Sequence, residues 1–249
     1  MRRAAVILAF VWAASAYAAT IKMYLFAGQS NMAGKGYNLC QCQYTFGTNT
    51  NVYFYGNITN AFLAAPDEGS SGYAFGPEIS AAPILVLKDT GKVSIVKYAL
   101  GSSWITSNWT GNANAWAGFS NRVRLAQVGL TNAGFQTQFG GMAWYQGESE
   151  SQSPSAASNY YANLTNFIAQ CRNSFDTNLA FVVVQIAPST DWTYFSTITN
   201  AQASVATGMP RVASFAPRVI GMYDSQHPDS YSLLAIGEQI GAAFLSNFP

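Results

Sequence analysis

Histidine occurs once in this chain, as His227 in Asp224-Ser225-Gln226-His227 close to the C-terminus. Imidazole is the side chain whose ordinary titration lies near neutrality, so proton transfer by an imidazole falls to this residue. Far upstream, Gly28-Gln29-Ser30-Asn31-Met32-Ala33-Gly34 sets a serine just after the apolar run Ile21–Phe26. A serine hydroxyl is a weak nucleophile and needs a base to take its proton as it attacks an acyl carbon. His227 has the chemistry of that base. Asp224, in the same turn, is close enough to orient the ring through its far nitrogen and to stabilise the imidazolium. Attack on an ester leaves an oxyanion that needs donors fixed in advance, each typically worth ~3–4 kcal/mol. Candidates are the backbone N–H groups of Ser30 and Gly101 and the side-chain amide of Gln146. Glycine at 101 lets the backbone approach a substrate closely.

These residues act together only if a fold gathers them. Ile21–Phe26, Val93–Ala99, Gly140–Tyr145 and Ala180–Ala187 are short apolar runs rich in β-branched and aromatic residues. Continuous rather than alternating apolar runs are expected of strands covered on both faces. Val52–Tyr55 and a run around Val219–Met222 are weaker strand candidates. Between the runs lie helical patterns. In Ser158–Phe175, Tyr160, Leu164, Phe167, Ile168, Cys171 and Phe175 share one face. Gly76-Pro77-Glu78 opens another helix, which Pro83 should kink or shorten. Asn121–Asn132 and Leu233–Phe244 complete the set. Strands alternating with helices predict an α/β fold, a three-layer α/β/α sandwich on a mostly parallel sheet. In such sheets the ligand site lies beyond the carboxyl ends of the strands. Gly28-Gln29-Ser30, Gly101-Ser102-Ser103, Gln146-Gly147-Glu148 and Asp224–His227 each follow a predicted strand there. Residues 36–51 and 101–121 read as long polar loops, which in a compact domain tend to shape a site.

Composition bounds the remaining possibilities. Charged residues make up 9% of the chain and aromatics 14%. The formal net charge of +1 offers no argument for nucleic acid or an anionic membrane as partner. Residues 1–19 have the three parts of an export signal: Arg2 and Arg3, the apolar run Ala4–Ala14, and small residues at Ala16-Tyr17-Ala18. The run is too short to span a bilayer, and no later stretch is apolar for long enough. The expected mature chain is thus a single secreted domain over 20–249, outside the membrane, of unassigned oligomeric state. Asn57, Asn108 and Asn163 begin glycosylation sequons. Of three cysteines, Cys171 reads as a buried thiol on a helix face, whereas Cys40 and Cys42 lie in a polar loop. Three cysteines and one histidine are poor material for zinc, and neither metal nor cofactor is expected.

At this point the motifs resemble a known family. Gly28–Gly34 looks like the nucleophile block of the SGNH hydrolases, and specifically of the family 6 carbohydrate esterases grouped with the sialate O-acetylesterase-like (SASA) domains. Phe75-Gly76-Pro77-Glu78 and Lys97-Tyr98-Ala99-Leu100-Gly101 are similar to that branch's next two blocks. Trp144-Tyr145-Gln146-Gly147-Glu148-Ser149-Glu150 resembles its Trp-x-Gln-Gly-Glu block, and Asp224–His227 its Asp-x-x-His. The resemblance implies metal-independent hydrolysis of esters on acetylated poly- or oligosaccharides. It implies Ser30 as nucleophile, His227 as base, and Ser30, Gly101 and Gln146 as oxyanion donors. Either Asp224 or Glu148 orients the histidine, with Asp224 favoured by the short loop. Two departures stand out: Ser102-Ser103 follows Gly101 where the family more often has glycine and threonine, and Pro228 follows His227.

Gln29 and Asn31 flank the nucleophile as candidate substrate contacts, although Asn31 is equally suited to holding the turn. Trp104 and Trp109, with Trp116 and Trp192, are candidates for stacking on sugar rings, with packing as the competing role. Trp144 reads as core. The expected activity is deacetylation of a plant polysaccharide such as acetylated xylan. The alternatives are a sialate O-acetylesterase, a broad short-chain esterase, or a non-catalytic carbohydrate-binding protein on the same fold.

Overall fold

A computed structural model describes residues 19–34, 51–55, 75–89 and 91–248. The expected export signal up to Ala18, Cys40, Cys42 and Asn57 lie outside these residues. Among the described residues, six strands form one sheet in the order β2-β3-β1-β4-β5-β6. They are β1 (Thr20–Gly28), β2 (Val52–Tyr55), β3 (Val93–Ala99), β4 (Gln136–Tyr145), β5 (Phe181–Val184) and β6 (Val212–Phe215). Every neighbouring pair is parallel.

Side-chain alternation along β1 divides the core into two layers. Ile21, Met23, Leu25 and Ala27 face helices α3 (Asn114–Asn132), α4 (Pro154–Ser174) and α5 (Phe195–Gly208), through residues such as Phe119, Val123, Leu164, Phe167 and Ile198. Tyr24 and Phe26 face the opposite way, onto α2 (Glu78–Asp89) and α6 (Ser230–Asn247), through Ala81, Leu85, Ile236, Ile240 and Phe244. Covering both faces is what makes the central strands predominantly apolar. The three-layer α/β expectation is met. Cys171 is a fully buried thiol in α4, and burial pushes its titration well up.

Four local expectations need correction. The sixth strand is Val212–Phe215, not the run around 219–222. It is an edge strand in which only Val212 is buried, so its apolar signal is weak. The 219–222 backbone is instead engaged locally: the N–H groups of Ile220 and Gly221 donate to Ser232 Oγ, and Met222 pairs with Pro228. Of the two effects expected of Pro83, a kink or a shortened helix, the shortening does not occur, since the helix continues to Asp89. The stretch 101–121 is not one long loop, because Ile105–Trp109 forms a π-helical turn and α3 begins at Asn114. The strand expected over Ala180–Ala187 is confined to Phe181–Val184.

Candidate active site

Three neighbouring strands end level with one another. Gly28 pairs with Ala99 on one side and Tyr145 on the other. The residues that follow, Gln29-Ser30, Leu100-Gly101 and Gln146-Gly147-Glu148, therefore emerge together at the carboxyl edge of the sheet. Two hydrogen bonds fasten the turns: Leu100 N donates to Gly28 O (3.0 Å) and Gln29 N to Tyr145 O (3.0 Å). Gly28 has no substitute here, since a Cβ on it would lie 2.0 Å from the Tyr145 carbonyl oxygen. The chain then turns into α1 (Ser30–Ala33), with Ser30 at its start and partly exposed.

The Phe75–Glu78 and Lys97–Gly101 blocks meet beneath this short helix. Lys97 Nζ lies 2.9 Å from Glu78 Oε2 and donates to Ala33 O at 2.8 Å, while Gly76 N donates to Glu78 Oε1. Lys97 and Glu78 are both buried. Their ion pair thus holds the last carbonyl of the helix that carries Ser30, a role that reading the blocks alone did not supply.

His227 and Asp224 sit on the loop closed by the Met222–Pro228 bridge and by Tyr223 N donating to His227 O. His227 Nδ1 lies 2.8 and 2.7 Å from the two carboxylate oxygens of Asp224. Asp224 Oδ1 also accepts from the backbone N–H groups of Gln226 and His227, both at 2.8 Å. Partial burial alone would raise the Asp224 carboxyl. The two N–H donors and the imidazole outweigh it and hold the carboxyl below the ordinary range. Asp224 is therefore the carboxylate on the ring, with Nε2 turned away from it.

Glu148 is placed differently. It is almost fully buried, and its Oε1 accepts from Asn31 Nδ2 at 2.6 Å. Burial is the main reason its carboxyl is pushed up to about 7, with the Asn31 hydrogen bond opposing that rise and the charge of Glu150 adding to it. The same Asn31 amide reaches the backbone oxygen of Gln226 at 3.4 Å. Asn31 thereby joins the residue after Ser30 to the residue before His227, which brings the two ends of the sequence pattern together. Asn31 and Gln29 are only 2% and 3% exposed, so neither presents a free surface, and the Asn31 amide reaches across to the histidine loop rather than only holding its own turn.

Gln146 departs from its expected role. Its amide Nε2 donates to Ser103 O (3.0 Å) and to Glu150 Oε2 (2.5 Å), and its side chain is completely buried. Tyr160 Oη donates to its backbone oxygen (2.6 Å) and lies 3.1 Å from its side-chain oxygen, and Gln202 Nε2 donates to the same backbone oxygen. With both amide protons engaged inside the protein, Gln146 has none for an oxyanion. It ties the end of β4 to the 101–103 turn. Glu150, which also accepts from Ile105 N, was missed as the partner that draws the amide inward.

The remaining donors are backbone groups. Gly101 is exposed, and a Cβ there would meet nothing within 4 Å, so its surroundings are open. Ser102 adopts φ +54°, the left-handed region where glycine is at ease, at the position where the resembling family more often carries glycine.

Among the tryptophans of the described residues, only Trp104 is not buried; it is partly exposed. Trp109 is fully buried, with its ring centroid 5.0 Å from that of Trp144 and its Nε1 donating to Ser103 Oγ. Trp116 and Trp192 are also buried. Sugar stacking by these three is therefore corrected to packing, and Trp144 is core as expected. Exposed aromatic surface near the histidine comes instead from Tyr223, next to Asp224, which no motif flagged. Among the described residues, no three His, Cys, Asp or Glu side chains converge as a metal centre, and no helix is long and apolar enough to cross a membrane.

Known proteins resemble this chain in sequence pattern and in fold. Residues 20–246 match the family model described as carbohydrate esterase, sialic acid-specific acetylesterase. No curated protein matches. A protein structure from Arabidopsis thaliana superposes with a TM-score of 0.78 at 19% identity, covering 92% of this chain and 99% of its own. A carbohydrate acetylesterase from Xanthomonas citri gives 0.61 at 19% identity, covering 91% of this chain and 57% of that one. A carbohydrate esterase family 2 enzyme with a carbohydrate-binding domain, from Corynascus, gives 0.56 at 13% identity over 92% of this chain and 67% of that one. At such identities these likenesses establish the shared fold.

Proposed function

The chain belongs to the carbohydrate esterase, sialic acid-specific acetylesterase family and is a carboxylic ester hydrolase; on that premise we propose that it is a secreted enzyme removing O-acetyl groups from acetylated xylan or a related plant polysaccharide. Its reaction passes through an acetyl-enzyme on Ser30. Asp224, through Nδ1, holds His227 with Nε2 as the basic nitrogen. His227 takes the Ser30 proton as Oγ attacks the acetyl carbon. The backbone N–H groups of Ser30 and Gly101 receive the oxyanion. His227 then gives the proton to the departing sugar oxygen. Water, deprotonated by His227 in turn, releases acetate and restores Ser30.

The observation that carries this reading is the double engagement of the Asn31 amide, on Glu148 and on the Gln226 carbonyl, which fastens the histidine loop to the nucleophile turn. Export rests on the three-part pattern of residues 1–19. A neutral polysaccharide is favoured over sialate by the arginines. Arg122, Arg172 and Arg211 donate to backbone carbonyls, Arg124 to Asn121, and Arg218 to Glu238. Arg122, Arg124 and Arg172 belong to helices and Arg211 precedes β6; Arg218, which follows the end of β6, is paired with Glu238, and a guanidinium so engaged is less suited to taking a sialate carboxylate.

The test is acetate release from acetylated xylan and from O-acetylated sialic acid by the wild type and Ser30→Ala. Release from xylan alone, abolished in the variant, is the expected result. Preference for sialate would overturn the substrate assignment, and full activity of Ser30→Ala the mechanism.

A further inference from the structure

The two residues between Asp224 and His227 face a second carboxylate. Ser225 Oγ donates to Asp191 Oδ2 at 2.8 Å, and Gln226 Nε2 donates to the same oxygen at 2.9 Å. Asp191 is itself held in a turn after β5, where its N–H donates to Ser189 Oγ. Ser189 Oγ in turn donates to the carbonyl oxygen of Ser225 at 2.6 Å. The histidine loop is thus gripped from two sides. Asn31 holds the Gln226 carbonyl on the side of the nucleophile, and the 189–191 turn holds both side chains and the Ser225 carbonyl on the other.

The loop needs such a grip. Ile220, Met222 and Tyr223 are exposed, and little apolar packing fixes the segment between β6 and α6. Its position therefore rests on directed polar contacts, and Asp191 accepts two of them. We propose that Asp191 is a positioning residue for the base: through Ser225 and Gln226 it sets where the His227 ring stands relative to Ser30. The inference rests on the esterase reading, in which His227 serves Ser30. Asp191 touches neither reacting atom. The reach needed for proton transfer is short, so a small displacement of the loop is expressed in turnover while ground-state binding of the sugar is little affected. Asp191 lies outside the Asp-x-x-His motif, on a turn separated from it by the whole of α5 and β6.

The test is a double-mutant cycle with acetate release as readout. Asp191→Ala should lower kcat by about tenfold, on the scale expected for small misplacements of a reacting group, with KM changed less than about twofold. Asp191→Asn keeps one acceptor oxygen and should recover part of the loss. In a Ser225→Ala/Gln226→Ala background, Asp191→Ala should have no further effect, because its partners are gone. Unchanged kcat in Asp191→Ala, or an equal loss in both backgrounds, would overturn the proposal. His227→Ala is assayed alongside. If it keeps wild-type activity, the base assignment itself is wrong and the catalytic role of Asp191 goes with it. If it is inactive while Asp191→Ala is not impaired, only the positioning role is refuted.

Discussion

Replacing Lys97 by methionine removes the cation beneath the nucleophile helix while keeping a side chain of similar length. In the native protein the Lys97 ammonium faces Glu78 Oε2 at 2.9 Å and the Ala33 carbonyl at 2.8 Å. Glu78 is completely buried, so the variant leaves a carboxylate with no compensating charge and no access to water. Removing one partner of a buried pair costs about 3–5 kcal/mol. For a chain of this size that corresponds to a fall in Tm of roughly 6–20 °C. Adding Glu78→Gln should return part of the loss, because no unpaired charge then remains. Thermal and urea unfolding followed by tryptophan fluorescence measures both variants. At temperatures where Lys97→Met is still folded, kcat should also fall, since the last carbonyl of the Ser30 helix has lost its anchor. A single variant destabilised by less than about 1 kcal/mol, or a double variant less stable than the single, would refute the claim that this pair is a buried brace.

The two acids beside the site should separate in kinetics: Asp224→Asn should lower kcat by roughly 10²–10⁴-fold by disturbing the tautomer of His227, whereas Glu148→Gln should stay within about tenfold of wild type. Steady-state assays of acetate release decide this, and the reverse order would make Glu148 the orienting acid. Glu148 should also reveal itself in stability against pH. Its folded-state carboxyl is pushed up to about 7 by burial, from an ordinary value of 4.5. A raised carboxyl stabilises the fold below the ordinary value, and that contribution is lost as pH rises through about 7. Glu148→Gln, which cannot ionise, should therefore gain on wild type as pH rises across that window, measured by urea unfolding at several pH values. Ser102→Gly relieves the left-handed φ of +54°. It should stabilise by up to about 1 kcal/mol, the strain relieved being partly offset by the greater freedom of glycine in the unfolded chain. A Tm below that of wild type would contradict the strain.

What the sequence revealed follows from how local each signal is. Central strands covered on both faces are predominantly apolar, so Val93–Ala99 is legible to the residue despite its buried Ser94 and Lys97, while the half-exposed edge strand Val212–Phe215 is not. Helix faces were clear where the three-and-four spacing ran long, as in α4. The first turns of α3 were hidden by Asn-, Gly- and Ala-rich sequence that resembles a loop. Within the candidate site, Ser30, Asp224 and His227 could be singled out as candidates because the proposed chemistry requires those residue types near the ends of strands, and the Asp224–His227 contact follows from their short spacing. Gln146 was misjudged because the direction of its amide depends on Glu150, Tyr160 and Ser103 together. Trp109 was misjudged because a tryptophan in a polar stretch gives no sign of which way its ring turns. Asp191 left no trace, since nothing in its own neighbourhood records that Ser225 and Gln226 will meet it.

The central claim is that Ser30 is a nucleophile activated by His227. A serine-reactive fluorophosphonate, applied to the folded protein and followed by peptide mapping, tests it directly. The account predicts one adduct, on Ser30, formed rapidly in wild type, absent after prior heat unfolding, and strongly slowed in His227→Ala. An adduct on another serine, or labelling of Ser30 at an equal rate without His227, would contradict it.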